Sequence, residues 1–220
     1  MARSALTITA ATFTATAALL LTACGGGGDD SAPDDIKGAE TGAGSPSASA
    51  SAPSDQPDQP DLSLPTDLKV DFDVSEPSEE RHTAALGNAQ NYILALNHGI
   101  TAQDPEDPAY QFYALGNAAK YAKKQIQAWV DDEWTATGTD SYYKARTDDV
   151  SDSGGVLVTM CRDQSKFFGK NVKTNKVKYT EGSLNDYQEF RLLMKPPQGA
   201  QKIWKVLQIE VQGRVKDCRR

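Results

Sequence analysis

From Gly25 to Thr66 the chain reads GGGGDDSAPDDIKGAETGAGSPSASASAPSDQPDQPDLSLPT, 42 residues with almost no large apolar side chain. No other feature limits the fold so strongly. A segment of Gly, Ser, Ala, Pro, Asp and Gln cannot bury enough surface to offset the entropy of ordering, and reads as a disordered tether. It holds eight acids and a single lysine. A flexible coil of that length has a root-mean-square reach of roughly 35 Å. Folding is left to residues 67–220, a length suited to one domain.

The tether is preceded by MARSALTITAATFTATAALLLTAC. One positive residue, Arg3, opens an uncharged stretch of Ala, Leu, Ile, Thr and Phe that is short for a membrane-spanning helix and further weakened by its threonines. A charged start, a short apolar centre and a small residue before a cut site describe a secretory signal. The last four residues, Leu21-Thr22-Ala23-Cys24, resemble the lipobox of bacterial lipoproteins. That resemblance implies a signal peptide over residues 1–23, a diacylated Cys24 thiol, often with a further acyl chain such as palmitate on the new N-terminus, and a lipidated tether over 24–66. Acyl chains add about 0.8 kcal/mol of membrane affinity per buried CH₂, so two of them anchor stably. The implied location is the extracytoplasmic face of the cell membrane, with the membrane itself as a partner through Cys24.

Across residues 67–220 charge is nearly balanced, with 22 acids against 21 bases, so the net charge of −7 comes mostly from the tether. The balance hides an asymmetry: residues 67–152 hold 16 acids and 7 bases, residues 162–220 hold 6 and 14. The run KNVKTNKVKY, Lys170 to Tyr179, suits anionic headgroups or wall polymers. It equally suits a solvated lysine face that discourages edge-to-edge strand pairing, and the latter is favoured. An exported, anchored chain is not expected to bind nucleic acid.

Helical periodicity covers the first part of the domain. Ser75-Glu76-Pro77 predicts a capped start, followed by Ala85, Leu86, Ala89, Tyr92, Ile93 and Leu96 on one face and a glycine stop at Gly99. Asp107-Pro108 predicts a cap and first-turn proline for a short second helix. Gly116-Asn117 breaks the chain before a third helix with Ala118, Ala122, Ile126, Trp129 and Val130 on one face. From about Thr139 the texture becomes β-rich: SYYKART, GGVLVTMCRDQS, YQEFRLLMK and QKIWKVLQIEVQ each read as a strand, with KPPQGA turning between the last two. The expected class is α+β, helices packed on one face of an antiparallel sheet.

This order resembles the NTF2-like superfamily, also called SnoaL-like or cystatin-like, and within it the small lipidated members of high-GC Gram-positive bacteria. The likeness spans residues 75–220. It rests on the Gly116-Asn117 break, Cys161-Arg162-Asp163 on an early strand, and Trp204-Lys205-Val206 ahead of Cys218. It implies a strongly curved sheet wrapped around the first helix, a cone with a pocket at its open end.

With Cys24 assigned to lipid, Cys161 and Cys218 are the remaining pair, and an exported domain meets oxidising conditions. A structural bridge is favoured over a reactive thiol, since there is no CxxC and neither cysteine has a histidine beside it. Closing a loop of that span stabilises by up to about 4 kcal/mol. His82 and His98 lie sixteen residues apart on the first helix, too far to share a metal. No zinc spacing, nucleophile elbow, phosphate loop or dinucleotide fingerprint is present, so neither metal nor cofactor is expected.

The resemblance to cone-shaped isomerases suggests a pocket carboxylate beside a tyrosine, and Asp163 with Tyr142, Tyr143 or Tyr187 are the candidates for that pair. Alternation puts Asp163 on the face of Cys161, which favours a structural role instead. Tyr110, Phe112, Trp129, Trp134, Tyr142 and Trp204 are the candidate pocket aromatics, though such residues are more often plain core. Two functions follow: a non-catalytic binding or interaction module for a small molecule or an envelope protein, and, as alternative, a small isomerase- or hydrolase-like enzyme.

Overall fold

The computed structural model describes residues 59–220 apart from 152, 200 and 201, so the residues read as a signal, Cys24 and most of the segment read as a tether lie outside the described residues. A short edge strand β1 (Leu68–Asp73) precedes three helices: α1 (Glu80–Ala102), α2 (Pro108–Tyr113) and α3 (Gly116–Asp131). Five further strands follow, β2 (Trp134–Val150), β3 (Gly155–Asn171), β4 (Val177–Lys178), β5 (Tyr187–Lys195) and β6 (Lys205–Gly213). The class is α+β. The strands form one open sheet in the order β1-β2-β3-β5-β6, with β4 paired to the far end of β3. All pairings are antiparallel except that of β1 with β2.

The parallel β1 was not anticipated from the sequence, although Leu68, Val70 and Phe72 alternate as a strand requires. It is held at its start by Asp67, whose carbonyl accepts hydrogen bonds from Gly138 N at 2.8 Å and Thr137 Oγ1 at 2.9 Å. Gly138 is obligatory there: its φ is +94°, and a Cβ would meet the Lys166 carbonyl oxygen at 2.1 Å. Upstream, Leu62 and Leu64 already pack against the core, so packing begins inside the segment read as tether.

Two boundaries of α1 differ from the periodicity reading. The helix begins at Glu80, after Ser75-Glu76-Pro77, and Pro77 instead offers its carbonyl to Thr83 Oγ1 at 3.0 Å. It runs past Gly99 to Ala102 and ends on Gln103 in the left-handed region, φ 58°. Gly99 serves packing rather than termination, because a Cβ there would fall 2.5 Å from Ile126 Cδ1 of α3. The Asp107-Pro108 start holds as read, with Asp107 Oδ1 accepting from Ala109 N at 2.7 Å. So does the Gly116-Asn117 restart, which opens α3.

The main core lies between α1 and the sheet. Ala85, Ala89, Tyr92 and Ile93 of the helix meet Val156, Val158 and Met160 of β3 and Leu192 and Met194 of β5, all fully buried. Burial of this apolar surface is the dominant stabilising contribution, at about 25 cal/mol per Å². Among the described residues no helix is long and apolar enough to cross a membrane. β2 and β3 are 17 residues each, and their pairing shifts register twice. Between Thr139/Lys166 and Ser141/Asp163, two β3 residues, Gln164 and Ser165, face the single β2 residue Asp140. Such bulges bend a strand and raise its twist, and they re-aim the side chains beside them.

Candidate binding cavity

Along β3, Val156, Val158 and Met160 point into the core, and alternation carries the next inward position to Arg162. A guanidinium on an otherwise apolar face is costly to bury without partners. Its partner is Asp140, placed by the bulge: Arg162 Nε donates to Oδ1 at 2.6 Å and one Nη to Oδ2 at 2.9 Å. The other Nη donates to Gln188 Oε1 of β5 at 3.1 Å. Tyr142 OH donates to Asp140 Oδ2 at 3.0 Å. The Asp140 side chain is 0% exposed and that of Arg162 14%.

Aromatic rings enclose the pair. The guanidinium carbon lies 5.0 Å from the ring centroid of Phe167, 5.7 Å from Phe190 and 5.9 Å from Tyr142, within cation–π reach. Phe72, Tyr142, Arg162 and Gln188 stand directly opposite one another across β1, β2, β3 and β5. Burial acts against the arginine charge, but the adjacent Asp140 raises its pKa overall, so it stays protonated. Burial pushes the Tyr142 hydroxyl well above its ordinary value, with Arg162 pulling the other way. Tyr121 of α3 is raised for the same reason, again opposed by Arg162.

Arg162 and Tyr142 line a cavity of about 590 Å³. Leu96, Asn97 and Ile100 of α1 form one wall, and Tyr121, Gln125 and Trp129 of α3 a second. Phe167, Phe190 and Val211 complete the sheet side. The chain from Thr180 to Asp186 forms the remaining side, where Ser183 caps a short 3-10 turn at Leu184–Asp186. Aromatic and aliphatic side chains share these walls with a larger number of polar ones, among them Gln125, Gln164, Glu181, Asn185 and Gln188, so the cavity is mixed rather than apolar.

Of the six aromatics singled out in the sequence, Trp129 and Tyr142 line this cavity. Tyr110 is core, its hydroxyl donating to Pro105 O at 2.8 Å. Phe112 packs edge-on against Tyr113, and Trp204 is buried beneath Arg81. Trp134 covers Gly169 at the far end of β2. Those four are outside the cavity lining.

Asp163 points to the opposite face of β3. Its Oδ1 accepts the Ser165 backbone N–H at 2.9 Å, satisfying a donor that the bulge leaves free. Tyr187 stands across from it on β5 and packs on a second, smaller cluster of Tyr143, Cys161 and Cys218. Cys161 and Cys218 form the disulfide, with Cα atoms 5.3 Å apart. Tyr143 donates its hydroxyl to the Cys218 carbonyl, and the Arg220 guanidinium lies 3.5 Å over its ring. The candidate acid–base pair of Asp163 and Tyr187 is thus assembled around the disulfide, away from the cavity.

The two histidines stay apart. His82 contacts Asp149 Oδ1 at 2.9 Å and Thr147 at 3.0 Å, and His98 contacts Asp107 Oδ2 at 2.6 Å. Among the described residues no three metal-ligating side chains converge. The lysine run forms the end of β3, a turn and β4; Lys170 pairs with Asp67 and Lys173 with Glu133, each at 2.5 Å.

In the sequence Arg162 stands out only as part of the Cys161-Arg162-Asp163 likeness, and Asp140 does not stand out at all. A detectable signal was present: a charge continuing the Val156, Val158, Met160 alternation marks a position where burial must be compensated. The acid beside it drew attention instead, because acids are the usual general bases.

No family model matches the chain, and no curated protein does. Among solved structures, the intermembrane space region of the chloroplast protein ARC6 aligns with 62% of this chain and 99% of its own length, at 13% identity and a TM-score of 0.37.

Proposed function

We propose that the protein is an extracytoplasmic lipoprotein, anchored through Cys24, whose NTF2-like domain binds a small molecule without catalysing a reaction. The observation that carries the binding role is the Arg162–Asp140 pair set in aromatic walls at the side of a cavity of about 590 Å³. Asp140 is the acid nearest a tyrosine hydroxyl there, yet its two oxygens already accept three hydrogen bonds, from Nε and Nη of Arg162 and from Tyr142 OH. A carboxylate so occupied, and 0% exposed behind the guanidinium, is not free to take a proton from a substrate. That favours binding over the isomerase-like alternative. The cone geometry draws support from the long α1 lying on the sheet and from the bulged 17-residue strands β2 and β3.

The test is extraction. Protein purified from its own membrane, denatured and analysed by mass spectrometry, is expected to release one small molecule per chain. The variant Gln125→Trp, which fills the cavity from α3, is expected to release none. Equal yields from both would refute the cavity as the site. The anchor is tested separately: Cys24→Ser is expected to leave the domain folded and release it from the membrane, and unchanged palmitate labelling would remove the lipoprotein reading.

A further inference from the structure

We propose, building on the binding role assigned to this cavity, that its occupant is an uncharged flat ring system carrying a carbonyl next to an N–H, as in a cyclic amide. Charge comes first. Arg162 is the cavity's only cation among the described lining residues, and Asp140 already neutralises it. Glu181 and Asp186 lie on the lining as well. A carboxylate ligand would bring a further anion to a guanidinium that has its counter-ion, and an ammonium would face that guanidinium. A carboxylate would also be opposed by Glu181 and Asp186, and an ammonium would find Asp186 already accepting the Ser183 N–H and only the water-exposed Glu181 to pair with.

The unfilled hydrogen-bonding capacity has a pattern. A guanidinium carries five N–H groups. Three are used, two by Asp140 and one by Gln188, which leaves one on each Nη without a partner among the described residues. Asn97 is 3% exposed and lines the cavity. Its Nδ2 donates to Ile93 O at 3.0 Å, while no described group donates to its Oδ1. Among the polar groups that the cavity presents are thus donors from β3 and an open acceptor from α1. A carbonyl answers the first and an N–H the second. Tyr121, whose hydroxyl has no hydrogen-bond partner among the described residues, serves either.

The walls select shape. Tyr121, Trp129, Tyr142, Phe167 and Phe190 offer ring faces and edges, which favour a planar aromatic body. The volume of about 590 Å³ falls in the range of roughly 300–1,000 Å³ typical of small-molecule sites.

The experiment uses the full-length chain carrying Cys24→Ser and four matched probes: a quinolone lactam, its N-methyl derivative, naphthoate and naphthylmethylammonium. Affinity is read by calorimetry, and location by tryptophan fluorescence with Trp129→Phe as the control. The lactam is expected to bind about tenfold tighter than naphthoate, and N-methylation to lose about tenfold, each roughly 1.4 kcal/mol. Asn97→Ala is expected to abolish the difference between the lactam and its N-methyl derivative. Should that variant fail to fold, the comparison of the two lactams on the parent chain decides alone. Naphthoate or the ammonium binding tightest, or equal affinity for both lactams, would overturn the ligand class and leave the cavity a binding site. No signal from any probe would overturn the binding role itself.

Discussion

Arg162 and Asp163 are neighbours on one strand, and they face two different worlds. On the inner face a guanidinium is buried among aromatics, with two N–H groups and the nearby Asn97 oxygen left open to a cavity. On the outer face Asp163 satisfies a bulge N–H, and Cys161, Cys218, Tyr143 and Arg220 close over one another through a disulfide, a hydrogen bond and a cation–π contact. The outer cluster is complete within the chain. The inner one is stable but unfinished. The open groups of the inner face border a cavity, where a ligand can reach them; among the described residues the fully buried side-chain atom without a partner is Asn88 Oδ1, which is not on the lining.

The contrast is broken most forcefully at Arg162. Replacing it by Met leaves Asp140 buried without its counter-charge, and urea denaturation is expected to show a loss of about 3–5 kcal/mol. The double variant Arg162→Met, Asp140→Leu is expected to recover part of that loss, because no orphan charge remains. If the single variant is no less stable than the double, the pair is not the buried unit described.

Opening the outer cluster costs less. Cys161→Ala with Cys218→Ala is expected to lower stability by about 2–4 kcal/mol, the 57-residue span being freed in the unfolded chain. Ligand affinity should stay unchanged, since the bridge lies on the other face. An equal loss of affinity would show that the two faces are coupled.

Asp163→Asn sharpens the comparison further. It weakens one charge-assisted hydrogen bond, so thermal melts should report a loss of about 1 kcal/mol with binding intact. A change in turnover or ligand affinity would return Asp163 to the functional candidates.

The smallest effect is on pH. Tyr92, Tyr121 and Tyr142 are held neutral by burial, their pKa values raised above 10.0. The unfolded chain releases those protons from about pH 10 while the folded one keeps them, so stability is expected to fall as pH rises beyond that point. On the acid side, Asp67 is lowered chiefly by its Lys170 hydrogen bond and Asp149 by His82. Their contribution is present above pH 3.8 and lost as pH falls below it. A melt series showing no decline above pH 10 would contradict the burial of the three hydroxyls.

Much of this was legible in the residues. Periodicity gave the apolar faces of α1 and α3, and Asp107-Pro108 gave the start of α2, because those signals are local. The ends of α1 were misjudged since Gly99 is needed for the approach of Ile126, a tertiary demand that composition does not reveal. β1 escaped because six residues beside a tether declare themselves only when β2, some seventy residues on, supplies the pairing. The disulfide was readable by counting. The cavity was half readable: Trp129 and Tyr142 were named, while Arg162 needed both the alternation of β3 and the bulge that brings Asp140 to it.

The row from Phe72 through Tyr142 and Arg162 to Gln188 has one more consequence, for how the sheet is assembled. If β5 slid by one residue against β3, Gln188 would leave Arg162 and turn to the outside, and Tyr187 or Glu189 would take its place in the pairing. The guanidinium would lose its amide acceptor, and the aromatic contact with Phe190 would be lost in the same movement. Arg162 therefore proofreads the sheet: three strands must arrive in a single alignment before its charge can be buried at all.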